Sequence, residues 1–196
     1  MIHARLEGQK IVPELAVETQ GLYNLIYDIA DRYGARSNGL QGQSSTTARY
    51  KLAQRVAQRW KRQRVRTRVL GVADYDKHSD EILAAVAADA AQHLRDMGLP
   101  VDKERILQFK RVALTERQID EHNVPTVTVE TEDGQSREVQ EAEALPTSIL
   151  RAEVEAAIRD TLDMKKFDRV AREKKREIDA FVQAVRRFCA KASTRN

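Results

Sequence analysis

The chain has 196 residues, 41% hydrophobic and 33% charged, with a net charge of +4, which suits one domain with an appendage. Its single cysteine, Cys189, excludes a disulfide framework and a multi-cysteine zinc site, and His3, His78, His93 and His122 form no metal-binding pair on a helix face. No apolar run approaches the ~20 residues that span a bilayer, and the opening MIHARLEGQK lacks a signal peptide's apolar core, so the expected compartment is the cytoplasm. In chain order, residues 11–18 read as a strand, with Leu15 and Val17 on one face and Ala16 and Glu18 on the other. Pro13 confines that strand to a start or an edge. Leu22, Leu25, Ile26, Ile29 and Tyr33 then recur at helical spacing, and Gly34 stops the helix. An extended piece is expected over 35–40. Ser44, Ser45, Thr46 and Thr47 offer N-caps for a helix over 46–60, with Leu52, Ala53, Val56 and Trp60 on one face.

Residues 67–73 form an apolar run suited to a strand buried on both faces. The spacing predicts a helix over 79–97, with Ile82, Leu83, Val86, Ala90 and Leu94 inward. Asp80 and Glu81 sit in its first turn, where carboxylates favour the helix dipole, and Gly98 and Pro100 end it. Residues 105–112 read as another strand. Strand and helix thus alternate three times, which predicts an α/β fold with a mostly parallel sheet flanked by helices. Beyond residue 113 the pattern changes. Residues 115–122 read as a short polar helix. Val127, Val129 and Val139 flank Asp133 and Gly134, a hairpin signal that an ordered loop would also satisfy. A helix is predicted over 147–162. A long amphipathic helix follows over 165–191, with Val170, Ile178, Phe181, Val185 and Phe188 on one stripe. The break near Asp163 divides a core domain, 11–162, from a basic C-terminal helix, 163–196. An apolar seam of that length needs burial. Docking on the chain's own core is the expectation, with pairing of two copies as the alternative.

Charge is segregated along the chain. Residues 49–68 carry nine Lys/Arg and no acid, residues 116–163 carry thirteen acids against four arginines, and residues 165–195 carry eleven bases against four acids. Such blocks speak of partners rather than of fold. Arg49, Arg55, Arg59, Lys61, Arg62 and Arg64 are candidates for a phosphate-tracking surface, with 55, 59 and 62 on one helical face. A solvated helix face is the competing reading. Trp60 is expected to pack beneath that helix.

The candidate chemistry is acidic. Glu18 ends the first strand, and Asp74 and Asp76 follow the third in VADYDKHSDEI. In parallel α/β sheets ligands bind outside the carboxyl ends of the strands. Period-two geometry points Asp74 and Asp76 the same way. Carboxylates gathered there repel one another unless a cation neutralises them, and hard oxygen ligands suit Mg²⁺ or Mn²⁺. Solvated loop acids and helix caps are the competing reading. His78 has two readings as well, a phosphate contact or a polar residue capping the next helix. Cys189 reads as a small hydrophobe on the last helix.

The blocks VETQGLYNLIYDIADRYGA, QSSTTARYKLAQRV and LGVADYDKHSDEI, followed by RVALTERQIDEHNVPT and EALPTSILRAEVEAAI, occur in this order. Together they resemble a Toprim domain of the version found in topoisomerase VI A subunits and related bacterial and phage proteins, over about residues 13–160. The resemblance implies that Glu18 is a metal ligand or general acid/base, and that Asp74 and Asp76 bind Mg²⁺. Ser45 matches a polar segment without an assigned role, and Glu141 or Glu143 matches an acidic position before Ala-Leu-Pro. It further implies Mg²⁺-dependent work on nucleic-acid phosphodiesters, nuclease- or topoisomerase-like, with DNA the expected partner. Two departures stand out. Thr19 replaces a frequent lysine, and Lys77-His78-Ser79 replaces a glycine-containing turn. About twelve residues stand before the first strand in this sequence, too few for the winged-helix region with a nucleophilic tyrosine that the double-strand-cleaving relatives carry. The chain is therefore not expected to cleave DNA by tyrosyl transfer on its own. The alternative is a non-catalytic DNA-binding or assembly subunit that needs a winged-helix partner or a second copy.

Overall fold

The computed structural model describes residues 4–40, 45–130 and 134–193. A parallel sheet is built from β1 (Ile11–Val17), β2 (Arg36–Gly39), β3 (Arg66–Val72) and β4 (Leu107–Ala113), in the order β2-β1-β3-β4. Helices α1 (Gln20–Arg32), α2 (Ser45–Gln63) and α3 (Lys77–Asp96) connect consecutive strands, with a single turn, α4 (Val101–Glu104), before β4. The chain steps from β1 to one side for β2 and to the other for β3. The carboxyl ends of β1 and β3 therefore flank a topological switch point.

Pro13 sits in an interior strand without breaking it. Glu18 N–H donates to Val72 O and Leu40 N–H to Val17 O, so the odd-numbered residues of β1 turn their backbone groups toward β2. The β1–β2 ladder begins only at Glu14 and Arg36. The proline nitrogen thus falls where β2 has not yet started, which is an edge in effect.

The helix ends follow local chemistry. Thr19 caps α1 by accepting from Leu22 N–H at 3.2 Å, and Gly34, at φ 67°, turns the chain out of it. Thr19 thus serves the helix at the position where the resemblance expects lysine. Asp76 caps α3 by accepting from Ser79 N–H at 2.7 Å, so the helix starts at Lys77 without a glycine turn. Helix α2 begins at Ser45, so of the four candidate caps Ser45, Thr46 and Thr47 lie within its first turn; Ser44 lies outside the described residues. Helix α5 (Glu116–His122) opens on a reciprocal capping box between Thr115 and Gln118.

Two apolar layers cover the sheet. Leu15 and Val17 pack with Leu22, Ile26 and Ile29 of α1 and with Leu150, Val154 and Ile158 of α6 (Thr147–Thr161). On the opposite face, Ala16 and Val69 pack with Leu52, Val56 and Trp60 of α2 and with Leu83, Val86 and Leu94 of α3. Each fully buried leucine or isoleucine contributes about 1.5–3 kcal/mol by leaving water. Trp60 lies under α2 as expected, with the Arg64 guanidinium 5.2 Å from its ring centre.

The stretch around Gly134 is a hairpin. Strands β5 (Thr126–Glu130) and β6 (Ser136–Gln140) pair antiparallel, and Gly134 has φ 75°; Asp133 lies outside the described residues. A short 3₁₀ turn, Ala142–Ala144, leads from β6 to α6. Helix α7 (Met164–Ser193) packs on the body only at its start, through Met164, Phe167 and Val170. Ile178, Phe181, Val182 and Val185 are exposed, Phe181 at 70%. The expectation that the stripe docks on the chain's own core is therefore corrected beyond Val170. The stripe from Ile178 to Val185 is left exposed. The side chain of Cys189 lies outside what is described. No helix among the described residues is long and apolar enough to cross a membrane.

Candidate functional site

The switch point gathers acids. Glu18 follows the last residue of β1, is buried, and its Oε2 accepts Asp74 N–H at 3.2 Å. This bond stitches the ends of β1 and β3 together. Asp74 Oδ1 accepts Ala142 N–H at 2.8 Å. That contact exists because β6 closes over the same segment. Tyr75 N–H donates to Gln140 O at 2.8 Å, an isolated antiparallel bridge that carries the hairpin onto the Asp74–Asp76 loop.

The Asp74 carboxyl is pushed up to about 6. Burial is the main cause. The Ala142 N–H opposes it, and the carboxylates of Glu18, Glu141 and Asp76 add to it. The strand ends thus gather negative charge, and neither Glu18 nor Asp74 has a cationic side chain paired with its carboxylate among the described residues.

Asp76 is placed differently. One oxygen caps α3, and Oδ2 lies 2.7 Å from Arg137 Nη1 of β6 in an ion pair that lacks hydrogen-bond alignment. Among the described residues no three His, Cys, Asp or Glu side chains converge tightly enough to hold an ion by themselves. The structure brings Glu18 and Asp74 together and turns Asp76 toward α3 and the hairpin.

Three further residues shape the site: Arg111 and Arg137 carried no signal in the sequence, whereas Glu143 is one of the two acids that the resemblance placed before Ala-Leu-Pro. Arg111 of β4 donates to the carbonyls of Asp74 and Leu114 and pairs with Asp80 Oδ1 at 2.5 Å, fixing the loop from the β4 side. Arg137 arrives from a strand whose register could not be read beforehand. Glu143 accepts from Thr19 Oγ1 at 3.0 Å beside the start of α1, and its carboxylate passes where a Cβ on Gly21 would stand. His78 is exposed in the first turn of α3.

The basic candidates separate into two groups. Arg55 and Arg59 turn inward from α2 to the fully buried Glu14 of β1, with closest contacts of 2.7 and 2.5 Å. Asn38 adds a bond to the same carboxylate at 3.1 Å. Burial opposes ionisation of Glu14, but Arg59 and Arg55 outweigh it and hold the carboxyl below its usual range. Arg49 pairs with Asp89 of α3 at 2.7 Å. Lys61, Arg62 and Arg64 are exposed at the end of α2. No protein-family model, curated protein or solved structure matches the chain.

Proposed function

We propose that this chain is a Toprim-like protein that processes nucleic acid, DNA by expectation, at phosphodiesters and with Mg²⁺ or Mn²⁺, in a nuclease- or topoisomerase-like reaction. The observation that carries the reading is the Asp74 carboxyl at the switch point, its pKa raised by burial and by the carboxylates of Glu18, Glu141 and Asp76. The five ordered sequence blocks point the same way.

The donor set fits a hard cation. Mg²⁺ is commonly held by only one or two carboxylates, with water and substrate phosphate completing the shell. Glu18 and Asp74 would hold it, with Asp76 joining only on leaving Arg137. Bound there, the ion would polarise a phosphate oxygen and stabilise the oxygen that attacks or leaves. The chain's own residues do the rest. Glu18 Oε2 is held by Asp74 N–H, which leaves Oε1 to take or give a proton. Asp74 Oδ1 is held by Ala142 N–H, which fixes the direction of Oδ2. Lys61, Arg62 and Arg64 supply exposed positive charge for the backbone of a bound strand.

A second reading keeps the binding and drops the catalysis: a non-catalytic subunit that needs a winged-helix partner or a second copy. The Asp76–Arg137 pair and the exposed stripe Ile178–Val185 favour it. Incubation with supercoiled plasmid and linear DNA in Mg²⁺ or Mn²⁺ discriminates the two. The first reading expects ion-dependent nicking or cleavage that is lost in Asp74→Asn. DNA retention without any ion-dependent product supports the second.

A further inference from the structure

The outer edge of the sheet carries a cleft that the acidic site does not use. It has a volume of about 800 Å³ and runs along β2 between α1 and α2, lined by Tyr23, Tyr27, Asp31, Ser37, Arg55 and Arg59 among others. We propose that this cleft binds single-stranded nucleic acid, with unpaired bases on the α1 wall and phosphates on the α2 wall. The proposal takes its ligand class from the function proposed above, but not that function's chemistry: binding here needs no divalent ion.

The α1 wall is aromatic. Tyr23 and Tyr27 lie one helical turn apart with ring centres 5.6 Å apart and planes inclined by 29°, and Tyr27 is 51% exposed. Tyr27, its ring backed by the half-buried Tyr23 and recessed in a cleft, presents a π-face that an unpaired base can reach and a stacked, paired base cannot. Asp31 lies on the same wall. Its carboxylate repels phosphate and can accept from a base's exocyclic amine, which sets the sense in which a strand would lie.

The opposite wall is cationic. Arg55 and Arg59 share the single carboxylate of Glu14, so one positive charge there is left in excess. Arg36 of β2 lines the cleft, is exposed, and has no partner among the described residues. Arg62 continues the row one turn beyond Arg59, and the sequence of α2 contains no acid to offset it.

The floor offers unused polar groups. The even-numbered residues of β2 face β1, so Ser37 and Gly39 turn their backbone N–H and C=O groups outward. Ser37 Oγ is buried and lacks a hydrogen-bond partner among the described residues. At one end of the cleft, Tyr23 N–H donates to Thr19 O in the first turn of α1, next to Glu18. A strand lying along β2 therefore leads toward the acidic edge.

The test is fluorescence anisotropy in EDTA, with a fluorescein-labelled oligo-dT of about twelve nucleotides and the same strand annealed to its complement. Tyr27→Ala should weaken oligo-dT binding roughly five- to a hundredfold, while Tyr27→Phe, which keeps the ring, should bind as wild type. Arg36→Ala should weaken binding and flatten the dependence of log K on log salt by about 0.7. The duplex should bind more weakly and be insensitive to Tyr27→Ala. Unchanged oligo-dT affinity in Tyr27→Ala, or Tyr27-independent binding of both probes with equal affinity, would overturn the proposal. Asp74→Asn serves as the separating variant. Tyr27-dependent binding that Asp74→Asn leaves unchanged, in a wild-type protein that takes up no Mn²⁺, refutes the catalytic reading and leaves the cleft intact. Cation-dependent cleavage with no effect of Tyr27→Ala does the reverse.

Discussion

Replacing Asp74 by asparagine should make the protein more stable near neutral pH while removing its cation site. The side chain keeps its size and its acceptor for Ala142 N–H. What it loses is a charge at a partly buried position beside Glu18, Glu141 and Asp76. The folded pKa of about 6 lies above the ordinary value of 3.8, so folding disfavours the ionised form. The penalty is absent below the unfolded pKa of about 4 and is complete once the pH has risen past about 6. Just over two pKa units correspond to roughly 3 kcal/mol in a dry site. Asp74 is part exposed, and solvent screening brings the figure to about 1–2 kcal/mol. Urea unfolding of wild type and Asp74→Asn at pH 4 and pH 7.5 gives the comparison. The variant should gain about 1–2 kcal/mol at the higher pH and nothing at the lower. A variant less stable than wild type at pH 7.5, or a gap that does not change with pH, would refute the reasoning.

Other outcomes follow from the same geometry. Glu14→Gln leaves Arg55 and Arg59 facing a neutral group, and a broken buried pair costs about 3–5 kcal/mol in urea unfolding; a loss under about 1 kcal/mol would contradict the burial of that network. Because Glu14 is held below its ordinary value, its contribution is present above about pH 4.3 and is lost as the pH falls through the folded pKa, so an acid titration should show Glu14→Gln closing on wild type. Thr115→Ala removes the capping box of α5 and should cost about 1 kcal/mol. Arg137→Ala leaves the buried Asp76 carboxylate without its cation and should cost about 1–3 kcal/mol, yet it frees Asp76, so calorimetry should find tighter Mn²⁺ binding; weaker binding would show that Arg137 supports the site instead.

The repeated strand–helix pattern was legible because both periodicities are strong. Leu22, Ile26 and Ile29 mark α1, and the continuous apolar run Val69–Ala73 marks a strand covered on both faces. Glu18 and Asp74 could be brought together from the sequence because strand ends in a parallel sheet share one edge. Asp76 could not be resolved, since a carboxylate one residue before a helix serves equally as ligand and as cap, and only the register of β6 shows that Arg137 meets it. The surroundings of the basic run 49–68 were hidden for a related reason. Period 3.6 puts Arg55 and Arg59 on one face, but nothing local shows that Glu14 lies beneath that face. The stripe on α7 was read correctly as apolar, while its covering depends on where the body ends, which helical periodicity does not encode.

The central claim is that Glu18 and Asp74 form a divalent-cation site at the switch point. Isothermal titration of Mn²⁺ into wild type and into Asp74→Asn at pH 7.5 tests it most directly. The account predicts saturable binding to wild type and none to the variant. No binding to wild type, or the same isotherm for both proteins, would contradict it.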